Sequence, residues 1–152
     1  MADAAREIEN LLYTYAERID AGDFAGLAEL FAHGRILPSP GGSRETAIAG
    51  TEAVLAMYRS TTRLYPDGTP RTRHVTSNAL IEIEDGGGSA RSRSAYTVLQ
   101  QTDGLPLQPI ISGRYHDTFR RIDGCWWFDT RTIFVDLVGD LSHHLLFDLP
   151  PK

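Results

Sequence analysis

Four consecutive segments in the second half of the chain repeat apolar residues with a period of two, which is the pattern of half-buried strands. They run from Ala79 to Glu84, Ala90 to Gln101, Ile110 to Ile122 and Trp126 to Val135. The sequences EDGGGS and RIDGCW join neighbouring segments and contain the Asp-Gly pair typical of tight hairpins, whereas TDGLPLQP predicts a longer connection. Strands that follow one another through hairpins predict an antiparallel sheet.

The N-terminal part has the period of an amphipathic helix instead. A first helix from Glu7 to Ile19 is predicted to end near Gly22, and Asp23 is placed to cap a second, short helix. The apolar stripe of the first helix comprises Ile8, Leu11, Leu12, Tyr15 and Ile19, and that of the second comprises Phe24, Leu27, Leu30 and Phe31.

A third helix is predicted to begin with Thr51 as its cap and to carry Val54, Leu55 and Tyr58 on its buried side. Short extended pieces are expected around Ile36 and in ETAIAG, with LPSPGGS as a loop between them. Three helices followed by antiparallel strands predict an α+β fold, in which one curved sheet wraps over the helices.

Length and composition favour one domain over residues 1–152. A formal charge of −5 argues against nucleic acid as a partner, because phosphate binding depends on clustered Lys and Arg. No segment has the roughly 20 apolar residues that span a bilayer, and the N-terminus lacks the apolar run of a signal peptide, so we expect a cytoplasmic protein without a membrane partner. Cys125, beside two tryptophans, is expected to be a small core residue.

Tyr15, Asp20 and His74 are candidates for catalysis. Tyr15 lies on the buried stripe of the first helix, where its hydroxyl needs a partner, although a core tyrosine bonded to a carbonyl would have the same pattern. Asp20 lies in the last helical turn, where its negative charge opposes the macrodipole. Either another group holds the carboxylate there, or it is an exposed aspartate that water solvates. His74 is predicted to precede a strand, and an imidazole there is either structural or a general base.

Arg131 and Asn78 are candidates for substrate binding. Arg131 stands among aromatic residues and should need a carboxylate, either that of Asp20 or one on the substrate. Asn78, close to His74, is expected to cap backbone groups and support the histidine. His143 and His144 are adjacent without a further ligand nearby, which is a weak metal signal, so neither metal nor cofactor is expected.

Three stretches of the sequence, in order over about residues 5–145, resemble the SnoaL-like branch of the nuclear transport factor 2-like superfamily. They are IENLLYTYAERIDAGDFAGLAELFA, RHVTSN and SGRYHDTFRRIDGCWWFDTR. The resemblance implies a cone-shaped barrel with a deep apolar pocket, commonly dimeric. In the dehydratase members of this family, a tyrosine, an aspartate and a histidine converge on the pocket. The resemblance implies that Tyr15, Asp20 and His74 have these places here. A second histidine or carboxylate expected around Tyr96 to Gln100 is absent, and Tyr96 itself is a candidate substrate contact.

These observations lead to the hypothesis of a lyase or isomerase that acts on a cyclic, apolar carbonyl compound. His74 would be the base, Asp20 would orient it, and Tyr15 would donate to the carbonyl oxygen. One alternative is a non-catalytic binding or assembly module with the same fold. Another is an isomerase whose base is a carboxylate, Asp20 or Asp117.

Overall fold

The computed structural model describes residues 3–38 and 46–149, and within them three helices and six strands. The helices are α1 (Ala4–Asp20), α2 (Phe24–Glu29) and α3 (Thr51–Thr61). The strands are β1 (Arg35–Leu37), β2 (Ile48–Ala49), β3 (Thr72–Ile83), β4 (Ser89–Thr102), β5 (Leu105–Ile122) and β6 (Cys125–Val138). Most of the predicted LPSPGGS loop lies outside the described residues.

The strands form one sheet in the order β2-β1-β6-β5-β4-β3. All neighbouring pairs are antiparallel except β1 and β6, which run parallel. The predicted α+β architecture, with N-terminal helices on a curved and mostly antiparallel sheet, is confirmed. The sheet does not close into a barrel: β2 and β3 form its two edges, and α1 packs beside β3.

Capping and glycine geometry determine where the helices begin and end. α1 ends at Asp20 because Gly22 adopts φ 73°, and a Cβ there would lie 2.0 Å from the carbonyl oxygen of Gly68. Asp23 caps α2 as predicted, accepting a hydrogen bond from the backbone of Gly26 at 2.9 Å. The predicted cap of α3 is wrong by one residue, since Gly50 is the cap and Thr51 already belongs to the helix.

Two strand boundaries differ from the prediction. β3 begins at Thr72, so His74 lies within the strand and pairs with Val98 of β4 instead of preceding the strand. The inward positions at this end of β3 are polar, which concealed the alternation. The longer connection predicted in TDGLPLQP is also wrong, because Thr102 pairs directly with Leu105 and leaves a two-residue turn.

The core lies between the helices and the inner face of the sheet, and it includes the predicted stripe residues Ile8, Leu12, Leu27 and Phe31. Cys125 is exposed, which corrects the expectation of a core residue. Cys125 is the first residue of β6, and the turn before it determines which side chains of the strand face the core. Cys125 therefore points outward and the following residue, Trp126, points inward.

The chain after β6 turns back across the end of α3. Leu145 forms an isolated bridge with Thr62, and His144 is buried. Leu146 and Phe147 are 48% and 47% exposed in the single chain. Within the described residues, no helix has the length and apolar character needed to cross a membrane.

Candidate active site

Asp20 and His74 form a hydrogen-bonded pair between the end of α1 and the beginning of β3. The Nδ1 atom of His74 lies 2.6 Å from Oδ1 of Asp20, and the two side chains are 7% and 13% exposed. Thr72 donates its hydroxyl to the same carboxylate oxygen at 2.9 Å, and the backbone N–H of His74 donates to Oδ2 at 2.7 Å. The carboxylate is therefore held by three hydrogen bonds, all from β3.

This arrangement determines which nitrogen of His74 is available for chemistry. A carboxylate can only accept, so Nδ1 carries the hydrogen and Nε2 of the neutral ring keeps its lone pair. Among the described residues, Nε2 has no hydrogen-bond partner. An oriented imidazole with a free lone pair is the geometry of a general base.

The end of α1 explains why Asp20 and Tyr15 point in different directions. Five residues turn a regular helix by about 140°, so the two side chains leave α1 on different faces. Asp20 is the last helical residue and reaches β3, while Tyr15 enters the core. The hydrogen bonds from β3 offset the unfavourable position of the Asp20 charge at a helix C-terminus.

The hydroxyl of Tyr15 bonds that of Tyr58 on α3, and not the dyad of Asp20 and His74. Burial raises the pKa of Tyr15, although Arg131 opposes the rise, and burial raises the pKa of Tyr58 further. Both phenols are therefore neutral donors at physiological pH. Tyr58 is buried as predicted, but its bond to Tyr15 was not predicted, because no local signal in the sequence indicates it.

Arg131 pairs with Asp117, which corrects its predicted pairing with Asp20. Its Nε and Nη2 atoms donate to the two oxygens of Asp117 at 2.9 and 3.0 Å, and both side chains have 0% exposure. The guanidinium carbon lies 4.3 Å from the ring centroid of Tyr15 and 3.7 Å from that of Tyr115. Burial raises the pKa of Asp117 and Arg131 opposes that rise. With both oxygens occupied, Asp117 is poorly placed to act as the base.

The other two predicted substrate contacts lie apart from the dyad. Asn78 has φ 56° at the irregularity of β3 between Ser77 and Leu80, and it is exposed. The Tyr96 hydroxyl donates to the carbonyl of Phe134 at 2.8 Å, and its ring stacks on another tyrosine of the inner sheet face.

A groove of about 650 Å³ opens between α1 and β3. Asp20 and His74 are among its lining residues, together with Thr72 and Thr76 on β3 and Ala16 on α1. Tyr15 does not line this groove, since it is buried one helical face away. The structure thus brings two of the three predicted catalytic residues together and leaves the third in the adjacent core.

His144, which had been predicted only as part of a weak metal signal, is packed against His74. Burial, followed by the proximity of His74, lowers the pKa of His144 to about 4, and Asp20 opposes this. The ring is therefore neutral at physiological pH. Across residues 3–38 and 46–149, no cluster of three or more His, Cys, Asp or Glu side chains is arranged to hold a metal ion.

The lowered pKa of His144 predicts that the free energy of unfolding depends on pH. Between its ordinary pKa of 6.5 and the folded value of about 4, the unfolded chain binds a proton that the folded chain does not. The contribution of the neutral His144 ring to the free energy of unfolding is therefore intact above pH 6.5 and is lost as the pH falls. The loss amounts to about 2 kcal/mol between about pH 7 and about pH 5. Urea denaturation of the wild type and of His144→Phe at both pH values measures the free energy of unfolding. The wild type should lose more of it than the variant on going to the lower pH, and equal losses would contradict the prediction.

Residues 1–132 match the family model of the SnoaL-like domain. Among curated proteins, none matches the chain. A variant of a protein of unknown function from Mycobacterium tuberculosis is 27% identical, with a TM-score of 0.68 and coverage of 87% of this chain and 71% of that one. A protein from Novosphingobium aromaticivorans, named only provisionally as a scytalone dehydratase, is 23% identical, with a TM-score of 0.68 over 90% of this chain and 86% of that one.

A second protein from Novosphingobium aromaticivorans, described as NTF2-like with a cystatin-like fold, is 22% identical over 91% of this chain and 85% of that one, with a TM-score of 0.70. At this identity the last two similarities establish the fold alone. The family match covers most of the chain and includes α1 and β3, which carry the dyad. The chain belongs to the SnoaL-like domain family.

Proposed function

We propose that the protein is a cofactor-independent lyase or isomerase that removes a proton α to the carbonyl of a cyclic, largely apolar compound. The observation that carries this proposal is the dyad: His74 is oriented through Nδ1 by Asp20, and Nε2 is left for the substrate. A positioned general base contributes typically 10²–10⁴-fold to a proton transfer. The similarity to a provisionally named scytalone dehydratase agrees with this class of chemistry.

Asp20 acts through His74. Its carboxylate holds the ring in one tautomer and one orientation, and it stabilises the imidazolium that forms when Nε2 accepts the substrate proton. Thr72 and the backbone of His74 keep the carboxylate in place during this cycle. The proton then returns to the product or to a leaving group, which regenerates the neutral dyad.

Tyr15 is proposed as a hydrogen-bond donor to the carbonyl oxygen, supported by its link to Tyr58. When Tyr58 donates to Tyr15, the hydroxyl hydrogen of Tyr15 remains available to a substrate that reaches it. The guanidinium of Arg131 against the Tyr15 ring favours negative charge at that oxygen. In this proposal Arg131 positions and polarises Tyr15, while Tyr96 and Asn78 are further candidate contacts with the substrate.

A non-catalytic binding or assembly role is the second candidate, because one observation favours it. The hydroxyl of Tyr15 is buried against Tyr58 and does not line the groove that contains Asp20 and His74. A module that only binds an apolar ligand, or pairs with a second copy through the outer face of the sheet, needs no such convergence. The two candidates differ in whether the protein moves a proton.

The test uses α-tetralone, β-tetralone and progesterone as probes of the proposed substrate class. Binding is measured as a shift in thermal unfolding, and proton abstraction as deuterium incorporation at the α carbon in D₂O. We expect exchange with at least one probe and a loss of about 10²-fold or more in Asp20→Asn, which leaves the imidazole unoriented. Asp103→Asn is the matched control, because it makes the same change at an exposed turn residue, where asparagine is tolerated as well as aspartate.

Binding without exchange would favour the non-catalytic role. Neither binding nor exchange across the three probes would contradict the proposed substrate class. Equal exchange rates in Asp20→Asn and the wild type would show that Asp20 does not orient the base.

A further inference from the structure

Five consecutive residues of β3, from Thr72 to Thr76, line the groove that contains the dyad. Side chains alternate between the two faces of a strand, so one face alone could supply only every second residue. β3 is an edge strand, which pairs with β4 on one side only. The groove therefore runs along the open backbone edge of β3, and α1 forms its other wall.

The bonds of Asp20 show which backbone groups of β3 point into this groove. The N–H of His74 donates to Oδ2 of Asp20 at 2.7 Å, so it points toward α1 and away from β4. Backbone N–H groups two residues apart on a strand point the same way, and the register of β3 against β4 is regular from Thr72 to Ser77. The N–H of Thr76 therefore points into the groove as well.

The N–H of Thr76 differs from that of His74 in having no acceptor. Within the described parts of the chain, no side chain and no loop carbonyl accepts a hydrogen bond from it. Ala16 lies four residues before Asp20, on the same face of α1, and its methyl side chain cannot accept a hydrogen bond. The edge of β3 thus presents one N–H that Asp20 occupies and, beside it, one that a ligand can use.

This free N–H lies next to the proposed base. The side chain of His74 leaves β3 between its own N–H and that of Thr76, which are about 7 Å apart along the strand. A ketone carries its oxygen and its acidic hydrogen on neighbouring carbons, so the base and the donor to the oxygen must also be neighbours. Tyr15 is buried outside this groove, whereas His74 and Thr76 both line it.

We propose that the backbone N–H of Thr76 is the oxyanion donor for a carbonyl compound bound in the groove. Nε2 of His74 takes the α-hydrogen as a proton, the electron pair of the C–H bond forms a C=C bond, and the carbonyl π pair moves to the oxygen. The Thr76 N–H stabilises that charge and is not itself transferred. This inference rests on the proposed function and adds to the same site a donor that is independent of Tyr15.

The experiment replaces the backbone N–H of Thr76 by an ester oxygen, through incorporation of the α-hydroxy acid analogue of threonine into the full chain. Deuterium incorporation into the ketone probes should become about 10²-fold slower, the typical cost of one lost oxyanion donor. Thermal shifts should show that the probes still bind. Because this N–H makes no bond to β4, its removal leaves the ladder of the sheet in place.

An ester at Ile83 is the matched control. The N–H of the next residue, Glu84, donates to Ser89 in the hairpin, so the N–H of Ile83 points to the open edge, as that of Thr76 does. Ile83 does not line the groove, and its ester should exchange at the wild-type rate. Each ester weakens one carbonyl that faces β4, that of the preceding residue, so the control reproduces this side effect.

A second measurement needs no variant. In the wild type, a ketone probe that undergoes exchange should move the amide proton resonance of Thr76 downfield and leave that of Ile83 in place. An unchanged Thr76 resonance with such a probe, or wild-type exchange in the Thr76 ester, overturns the inference and leaves the proposed base untouched. Absence of exchange in the wild type with all three probes contradicts the proposed function and this inference together.

Discussion

Replacing His74 with asparagine is expected to lower the rate of α-proton exchange by about 10²–10⁴-fold. The amide nitrogen of asparagine occupies nearly the place of Nδ1 and can still donate to Asp20, so the carboxylate keeps its partner. The variant lacks any atom equivalent to Nε2, and with it the lone pair that would accept the proton. Deuterium incorporation into the ketone probes measures the rate, and ligand-induced thermal shifts should show that binding is retained.

His116→Asn is the matched control for this experiment. His116 is also a half-buried strand histidine, but its ring packs on Phe134, and it lines a different groove from the dyad. The control should exchange at the wild-type rate. Full exchange in His74→Asn would exclude the histidine as the base and return the choice to a carboxylate.

Replacing Arg131 with methionine is expected to destabilise the protein by about 3–5 kcal/mol. The substitution leaves the carboxylate of Asp117 buried with neither of its two guanidinium donors. It also removes the cation that lies between the rings of Tyr15 and Tyr115. Urea denaturation near neutral pH measures the change in the free energy of unfolding.

Arg114→Met provides a control of the same chemical type on the surface. Arg114 also makes two hydrogen bonds to one carboxylate, that of Asp136, and lies over the Phe134 ring, but its side chain is 48% exposed. An exposed pair of this kind is worth about 0–1 kcal/mol. Equal losses in the two variants would contradict the structural importance of the buried pair, and restored stability in Arg131→Met with Asp117→Leu would support it.

The elements of the fold could be predicted because their signals are local. The apolar period of α1, the cap at Asp23 and the Asp-Gly turn before β6 each depend on a few neighbouring residues. The errors arose where that signal is absent. Polar residues on the inward face of β3 concealed its beginning, and the phase of β6, which exposes Cys125, depends on the turn before it.

The candidate site was only partly predictable. The unfavourable place of Asp20 at a helix end indicated that it needs a partner, and His74 proved to be that partner across 54 residues of sequence. Nothing local distinguished Asp117 as the partner of Arg131, because their pairing follows from the register of β5 against β6. His144 could not be predicted at all, since the course of the chain after β6 has no periodic signal.

The sequence by itself determined the three helices, the long hairpin strands and the residue types available for acid–base chemistry, since periodicity and turn chemistry are properties of short segments. The tertiary structure decided which of those residues meet. It joined Asp20 to His74, buried Arg131 with Asp117, placed Tyr15 against Tyr58 and brought His144 to the dyad. Each of these contacts depends on how separate elements pack and register, which no short stretch of sequence specifies.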